Sequence, residues 1–156
     1  VVGGVGNGWT VAITTLMNER AGLGAPAAAG VRIALEELKE LARERGAYED
    51  PLIRQRLGQL EIEVELLRLN SWRGLTQIMK RGAPGPEGSL PKWQWGEINQ
   101  SLTELAVDIL GEEGAYWDSP WTYRLLRSRA NSIEGGTTEI LKNIIAERVL
   151  GLPKLR

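Results

Sequence analysis

With no histidine and no cysteine in 156 residues, any proton transfer in this chain falls to carboxylates, lysines or tyrosines. Ser-His-Asp and Cys-His mechanisms, disulfides, and thiolate or imidazole metal sites are excluded within the chain. Two glutamates sit where chemistry is conceivable. Glu19 precedes Arg20 in a helical stretch, and Glu134 leads into Gly135-Gly136-Thr137-Thr138-Glu139. Read as residues alone, each has an ordinary explanation. A Glu-Arg pair on a helix is usually a solvated face, and a lone loop glutamate is usually exposed. The Gly-Gly-Thr-Thr run has two readings of equal weight. Glycines let backbone approach a phosphate at a helix start, and the same orphan N–H groups serve an ordinary Thr137 or Thr138 cap.

The elements that must hold these residues read as helices. Apolar positions from Trp9 to Arg20 and from Val31 to about Arg45 follow a helical period, with Leu35, Leu38 and Leu41 in register. Three glycines and Pro26 between Gly22 and Gly30 predict a bend or break there. Gly46 is a natural stop. Asp50-Pro51 predicts a capped start to a helix reaching about Lys80. Ile53, Leu57, Leu60, Val64 and Leu67 line its buried stripe. Arg54, Glu61, Glu65 and Arg68 are expected on the opposite face, in pairs along the helix. Further helices are predicted over about Pro91 to Gly111, Trp121 to Arg129 and Thr138 to Leu150, separated by glycine- and proline-rich loops. Ile98, Leu102, Leu105 and Ile109 mark the core face of the first of these. The six tryptophans are expected in the core or between helices. No alternating strand pattern is visible.

The expected fold is therefore all-α: an up-and-down four-helix bundle with an additional short helix, in one domain spanning residues 1–156 after a flexible lead-in over 1–8. A net charge of -1 offers no nucleic-acid surface. No apolar stretch approaches bilayer-spanning length, and Val1 to Gly8 lacks a signal peptide's basic region. Neither nucleic acid nor membrane is an expected partner. The missing initiator Met leads to the expectation of a fragment.

Three ordered segments resemble the C-terminal helical domain of acyl-CoA dehydrogenases. The first is Ile133-Glu134-Gly135-Gly136-Thr137-Thr138-Glu139-Ile140, continuing through Asn143 to the exit Gly151-Leu152-Pro153. The second is Gly8-Trp9 with Ala12, Leu16, Glu19 and Arg20. The third is Ser89, Lys92, Gln100, Leu105, Ala106 and Leu110-Gly111. The resemblance implies α,β-dehydrogenation of an acyl-CoA thioester with FAD. A carboxylate takes the α-proton while the β-hydrogen leaves as hydride to the flavin. It further implies an electron-transfer flavoprotein as redox partner, a homo- or hetero-oligomer, and a cytoplasmic setting. The family's N-terminal helical and middle β-domains have no counterpart in this chain, so the isolated piece is expected to be inactive. A non-catalytic oligomerisation or partner subunit of a heteromeric dehydrogenase is the alternative.

The resemblance also distributes roles. Many members carry the catalytic glutamate immediately before the Gly-Thr of the loop, and Gly135 occupies that slot here. Other members carry it on the opening helix before an arginine, which matches Glu19. Glu19 is thus the preferred base and Glu134, one residue off register, the alternative. Gly135, Gly136, Thr137 and Glu139 match positions that meet the flavin's adenosine and phosphate region. Arg43, or Arg45, could reach a pyrophosphate. Two features depart from the family. The chain has no Phe for the usual Arg-x-x-Phe-Gly motif. The flavin loop reads Gly111-Glu112-Glu113-Gly114-Ala115-Tyr116, where acidic groups beside a pyrophosphate would be unfavourable unless turned to solvent.

Overall fold

The computed structural model describes the backbone of residues 1–154 and the side chains of all of these but Arg20 and Ala21. Among the described residues there are five α-helices and no strand. They are α1 (Gly8–Glu44), α2 (Pro51–Arg81), α3 (Ser89–Leu110), α4 (Pro120–Ser128) and α5 (Thr138–Ile144). Short 3₁₀ turns occupy most connections, and α5 runs on into a π-helical turn over Ile145–Val149.

The predicted break in α1 does not occur: the helix is continuous for 37 residues with Pro26 inside it. Proline removes one N–H donor from the helix ladder, but Pro26 is exposed, so water can serve the carbonyl left over. Ala25, Ala27, Ala28 and Ala29 surround it, and alanine is the strongest helix former. Packing contributes as well. A Cβ on Gly24 would sit 3.3 Å from Ser71 Oγ and 3.6 Å from Pro91 Cβ, so α1 passes close to both α2 and α3 at this point.

The other ends follow the predicted chemistry. Gly46 takes the left-handed conformation after α1 (φ 66°) and its N–H donates to the Arg43 carbonyl. Asp50 caps α2, its Oδ1 accepting from Leu52 N at 2.7 Å, with Pro51 at the first position. The last predicted helix is regular only to Ile144, beyond which the ladder widens into the π turn.

The core joins α1 through α4. Val31, Leu35, Leu38 and Ala42 meet Leu57, Leu60, Val64 and Leu67, with Ile98, Leu102, Leu105 and Ala106 from α3 and Trp121 from α4. Ile53 and Ile109 pack at its edge. Short links between packed neighbours make α1, α2 and α3 run up and down. Leu141 of α5, fully buried, adds the fifth helix to α3.

Two expectations about side chains change. Glu61 and Glu65 do not lie opposite the partner helices. Glu61 bonds to Arg32 and Lys39 of α1, and Glu65 bridges to Arg32 as well as to Arg68. These groups flank the α1–α2 seam: Glu61 finds its partners across it, while Glu65 divides between its nearer neighbour Arg68 along the helix and Arg32 across the seam. Lys39 responds to both sides of this setting. Burial pushes its pKa down, but bonds to Glu36 and Glu61 outweigh that and leave it raised. The tryptophans are also not uniformly core. Trp121 is buried, Trp93 and Trp95 are partly buried, and Trp9, Trp72 and Trp117 are exposed.

Candidate active site

The glycine turn between α4 and α5 is set by a stripe on α3 that runs beside the apolar one. Lys92, Gly96, Asn99, Thr103 and Ala106 recur in steps of four and three, so they share one face. All are buried or half-buried, and they receive the segment from Ser128 to Gly136. Thr103 Oγ1 lies 3.2 Å from Ser128 Oγ, and Gln100 Nε2 donates to the Ser128 carbonyl at 3.1 Å. Gly96 lets the two backbones close, because a Cβ there would lie 3.0 Å from the Asn131 carbonyl oxygen.

Asn131, itself 2% exposed, is the hub of this contact. Its Oδ1 accepts from Asn99 Nδ2 at 2.6 Å and its Nδ2 donates to Glu134 Oε1. Its main-chain carbonyl accepts from Lys92 Nζ, which also donates to the Gly136 carbonyl at 3.2 Å. Lys92 is only 1% exposed. A buried ammonium is tolerated only when its donors meet oxygens, and the turn supplies main-chain carbonyls for that purpose.

Glu134 is thereby tied down. Arg127 grips both carboxylate oxygens, at 2.8 Å and 3.2 Å, and Asn131 adds a third bond. The Arg127 guanidinium holds this carboxyl below the usual glutamate range, against an opposing push from burial, and Asn131 reinforces it. A base for a weakly acidic α-proton needs the opposite shift.

Gly135 and Gly136 both adopt positive φ, 66° and 109°, which places the turn in a conformation that glycine alone adopts freely. Space at Gly135 is occupied too. A Cβ there would meet Lys92 Cε at 3.3 Å and Leu23 Cδ1 at 3.6 Å. Leu23 belongs to α1 and lies four residues after Glu19, so the two share a helix face one turn apart. Glu19 is exposed in this chain, and the side chain of its neighbour Arg20 falls outside the described residues. The structure thus brings Leu23 of α1, one helical turn from Glu19, close to the Gly135 slot of the turn.

Thr137 resolves the capping question in its own favour over Thr138: its Oγ1 accepts from Ile140 N at 3.4 Å at the start of α5. Glu139 is exposed in the first turn. Arg43 is not part of this neighbourhood. It lies 20 residues beyond Leu23 on the same helix, roughly 30 Å away at 1.5 Å per residue. There it pairs with Glu40 at 3.0 Å and covers the Tyr48 ring. Next to it, Arg45 bonds both oxygens of Glu113, one at 2.7 Å. That pair neutralises one of the two loop acids, while Glu112 is exposed. It also engages the guanidinium that Arg45 would offer to a pyrophosphate.

Sequence reasoning placed Lys92 in a motif but gave it no task, and it passed over Asn99 and Asn131. The available signal was the second stripe on α3, with its lysine and asparagine at core register.

Comparison with known proteins agrees with this architecture. The family model for the acyl-CoA dehydrogenase C-terminal domain matches residues 6–150. Acyl-CoA dehydrogenase IpdE1 of Mycolicibacterium smegmatis is 41% identical over 99% of this chain and 39% of its own length. Short-chain specific acyl-CoA dehydrogenase from Bos taurus mitochondria is 26% identical over 96% of the chain and 38% of its own length. The chain therefore spans about two fifths of the curated relatives it matches. Among solved structures, the Tcur3481-Tcur3483 steroid ACAD superposes with a TM-score of 0.80 at 25% identity, covering 98% of this chain and 42% of that one. Butyryl-CoA dehydrogenase from Megasphaera elsdenii shares the fold, with a TM-score of 0.79 at 21% identity, over 93% of this chain and 39% of that one. The chain, with its helical bundle and its glycine turn against α1, belongs to the acyl-CoA dehydrogenase family as a C-terminal domain.

Proposed function

We propose that the protein containing this domain dehydrogenates an acyl-CoA thioester between its α and β carbons, and that Glu19 takes the α-proton. The observation that carries the choice is the approach of Leu23, one helical turn from Glu19, to the side-chain slot of Gly135, with its Cδ1 3.6 Å from where a Cβ would lie. A carboxylate on that face of α1 stands beside the loop slot that Gly135 leaves without a side chain. Glu134 is the weaker candidate because Arg127 and Asn131 occupy its oxygens and lower its pKa. Closure by the domains that relatives carry would take Glu19 out of bulk water, as proton abstraction from a weakly acidic carbon requires.

The family uses FAD, and the chemistry of the donor set here fits part of it. Gly135 and Gly136 form a tight turn into α5, and the side of that turn facing away from Lys92 and Leu23, with the Thr137 hydroxyl, would meet the cofactor's phosphate region. When bound, FAD supplies the acceptor for the β-hydrogen. Glu139 would contact the adenosine side of the same region. Arg43, at the other end of α1, would reach a cofactor only in another subunit, which argues for a homo- or hetero-oligomer. An electron-transfer flavoprotein would take the electrons onward.

The test uses the full-length protein and a panel of butyryl-, octanoyl-, palmitoyl- and steroid side-chain acyl-CoA thioesters. A yellow protein whose flavin is bleached anaerobically by at least one thioester is expected. In Glu19→Gln that bleaching should slow at least a hundredfold, because removing the proton acceptor removes general-base catalysis. Near wild-type bleaching in Glu19→Gln would remove Glu19 from the role. A colourless full-length protein would sink the FAD reading and leave the oligomerisation subunit standing.

A further inference from the structure

We infer that Lys92 is a positioning residue for this reaction: it clamps the glycine turn against α1 and so sets the wall that faces Glu19. The inference rests on the assignment of Glu19 as base.

Three observations carry it. Lys92 is buried, and its Nζ donates to two carbonyls five residues apart, those of Asn131 and Gly136, so one side chain ties both ends of the segment that contains Glu134 and Gly135. Its stem, together with Leu23 of α1, fills the space in front of Gly135, with Lys92 Cε and Cγ at 3.3 and 3.7 Å from a Cβ placed there. Lys92 also shares its α3 face with Gly96, whose missing side chain admits the Asn131 carbonyl. A lysine used only to fill space would leave its ammonium at the surface, since long cationic side chains normally extend their heads to water. Here the head is turned inward onto the turn.

The consequence is positional. Leu23 Cδ1 stands 3.6 Å from where a Gly135 Cβ would lie, so the turn faces α1 one helical turn from Glu19, and its height sets the gap that a substrate's α-carbon would enter. Proton abstraction is steep in that distance, and a misplacement near 1 Å can cost about a hundredfold in rate. Lys92 holds that gap without touching substrate. The same packing closes the loop slot: a glutamate introduced at Gly135 would meet the Lys92 stem in a left-handed backbone, so Gly135→Glu should not substitute for Glu19.

The deciding measurement is the anaerobic rate of flavin bleaching per bound flavin in full-length Lys92→Met, at saturating concentration of the thioester that bleaches wild type fastest. Methionine keeps the stem and removes the donors. The rate is expected to fall ten- to a hundredfold, with flavin content retained and the apparent pKa of the pH–rate profile unchanged, because the base is the same group in a wrong position. A purely structural role would lower flavin content or melting temperature and leave the rate per bound flavin at the wild-type value, and that result overturns the clamp. If Lys92→Met yields no folded flavoprotein, Gly135→Ala decides: its methyl group presses on Lys92 Cε at 3.3 Å and strains the left-handed backbone of the turn, so a fall of at least fivefold per flavin is expected and a wild-type rate overturns the inference. Slow Lys92→Met with fast Glu19→Gln refutes the base assignment, and with it the gap to Glu19 that the clamp is said to set. Slow Glu19→Gln with fast Lys92→Met refutes the clamp alone. A wild-type flavoprotein that no thioester bleaches removes both.

Discussion

Glu134 and Thr137 show how a few bonds decide what a residue can do. Glu134 would be a plausible base on composition alone, yet Arg127 and Asn131 hold it ionised. An unfolded glutamate titrates near pH 4.3, and the folded carboxyl lies lower. The stability this group contributes is therefore complete above about pH 4.3 and is lost as pH falls through the lower folded pKa. Urea unfolding of wild type and Glu134→Gln should differ at pH 6 and converge as pH drops toward 3; a gap that stays constant would show that the Arg127 pair adds nothing. Thr137 carries a separate, smaller load. Thr137→Ala should cost about 1 kcal/mol through loss of the α5 cap, while Thr137→Ser should be close to neutral. Equal loss in both variants would argue that the methyl group, and not the hydroxyl, matters there.

Among the elements, α1 and α3 do most to position the site. α1 carries Glu19 and Leu23 on one face, and its continuity through Pro26 fixes that face relative to the core residues from Val31 onward. Pro26→Ala restores a backbone donor on an exposed face and should raise stability, by about 1 to 3 kcal/mol on helix-propensity grounds, with helicity by circular dichroism unchanged. A destabilised Pro26→Ala would mean that a proline-specific bend is needed for packing. α3 presents two adjoining stripes, one apolar and one of Lys92, Gly96, Asn99 and Thr103. Truncating the first, as in Leu102→Ala, should cost about 2 to 5 kcal/mol by cavity formation. Gly96→Ala should also destabilise, although alanine is the better helix former, because its Cβ would press the Asn131 carbonyl at 3.0 Å. An increase in melting temperature for Gly96→Ala would overturn that account of the α3 contact.

At the scale of the whole molecule, the bundle leaves large apolar side chains in water. Trp9, Met79, Ile133, Ile140 and Leu150 are each at least half exposed. Relatives are more than twice as long, and an isolated domain of this kind exposes faces that the rest of such a protein would cover. The chain alone is therefore expected to self-associate. Sedimentation at rising concentration should show species heavier than 17.2 kDa, and a strictly monomeric profile at high concentration would count against this. The split of the candidate cofactor residues points the same way, because Arg43 and Thr137 are too far apart to serve one end of one cofactor within a single copy.

Local sequence was enough for what depends on near neighbours. The four-three apolar spacing predicted the core faces of α2 and α3, Asp50-Pro51 predicted the start of α2 and Gly46 the end of α1, and the absence of His and Cys narrowed the chemistry to carboxylates, lysines and tyrosines. Glu19 as a candidate was legible from motif order. Other features depended on what lay across the fold. Continuity of α1 through Pro26 came from solvent on one side and α2 and α3 on the other, which a local breaker rule does not see. The partners of Glu61, the tether on Glu134 and the burial of Lys92 each join residues 22 to 44 positions apart, or meet through a third residue that does. Helical periodicity says which way a side chain points; it does not say which backbone will arrive in front of it. The slot at Gly135 is the plainest case. Its empty side chain is written in the sequence, but only tertiary packing put Lys92 and Leu23 into the space, and with them the face of α1 that carries Glu19.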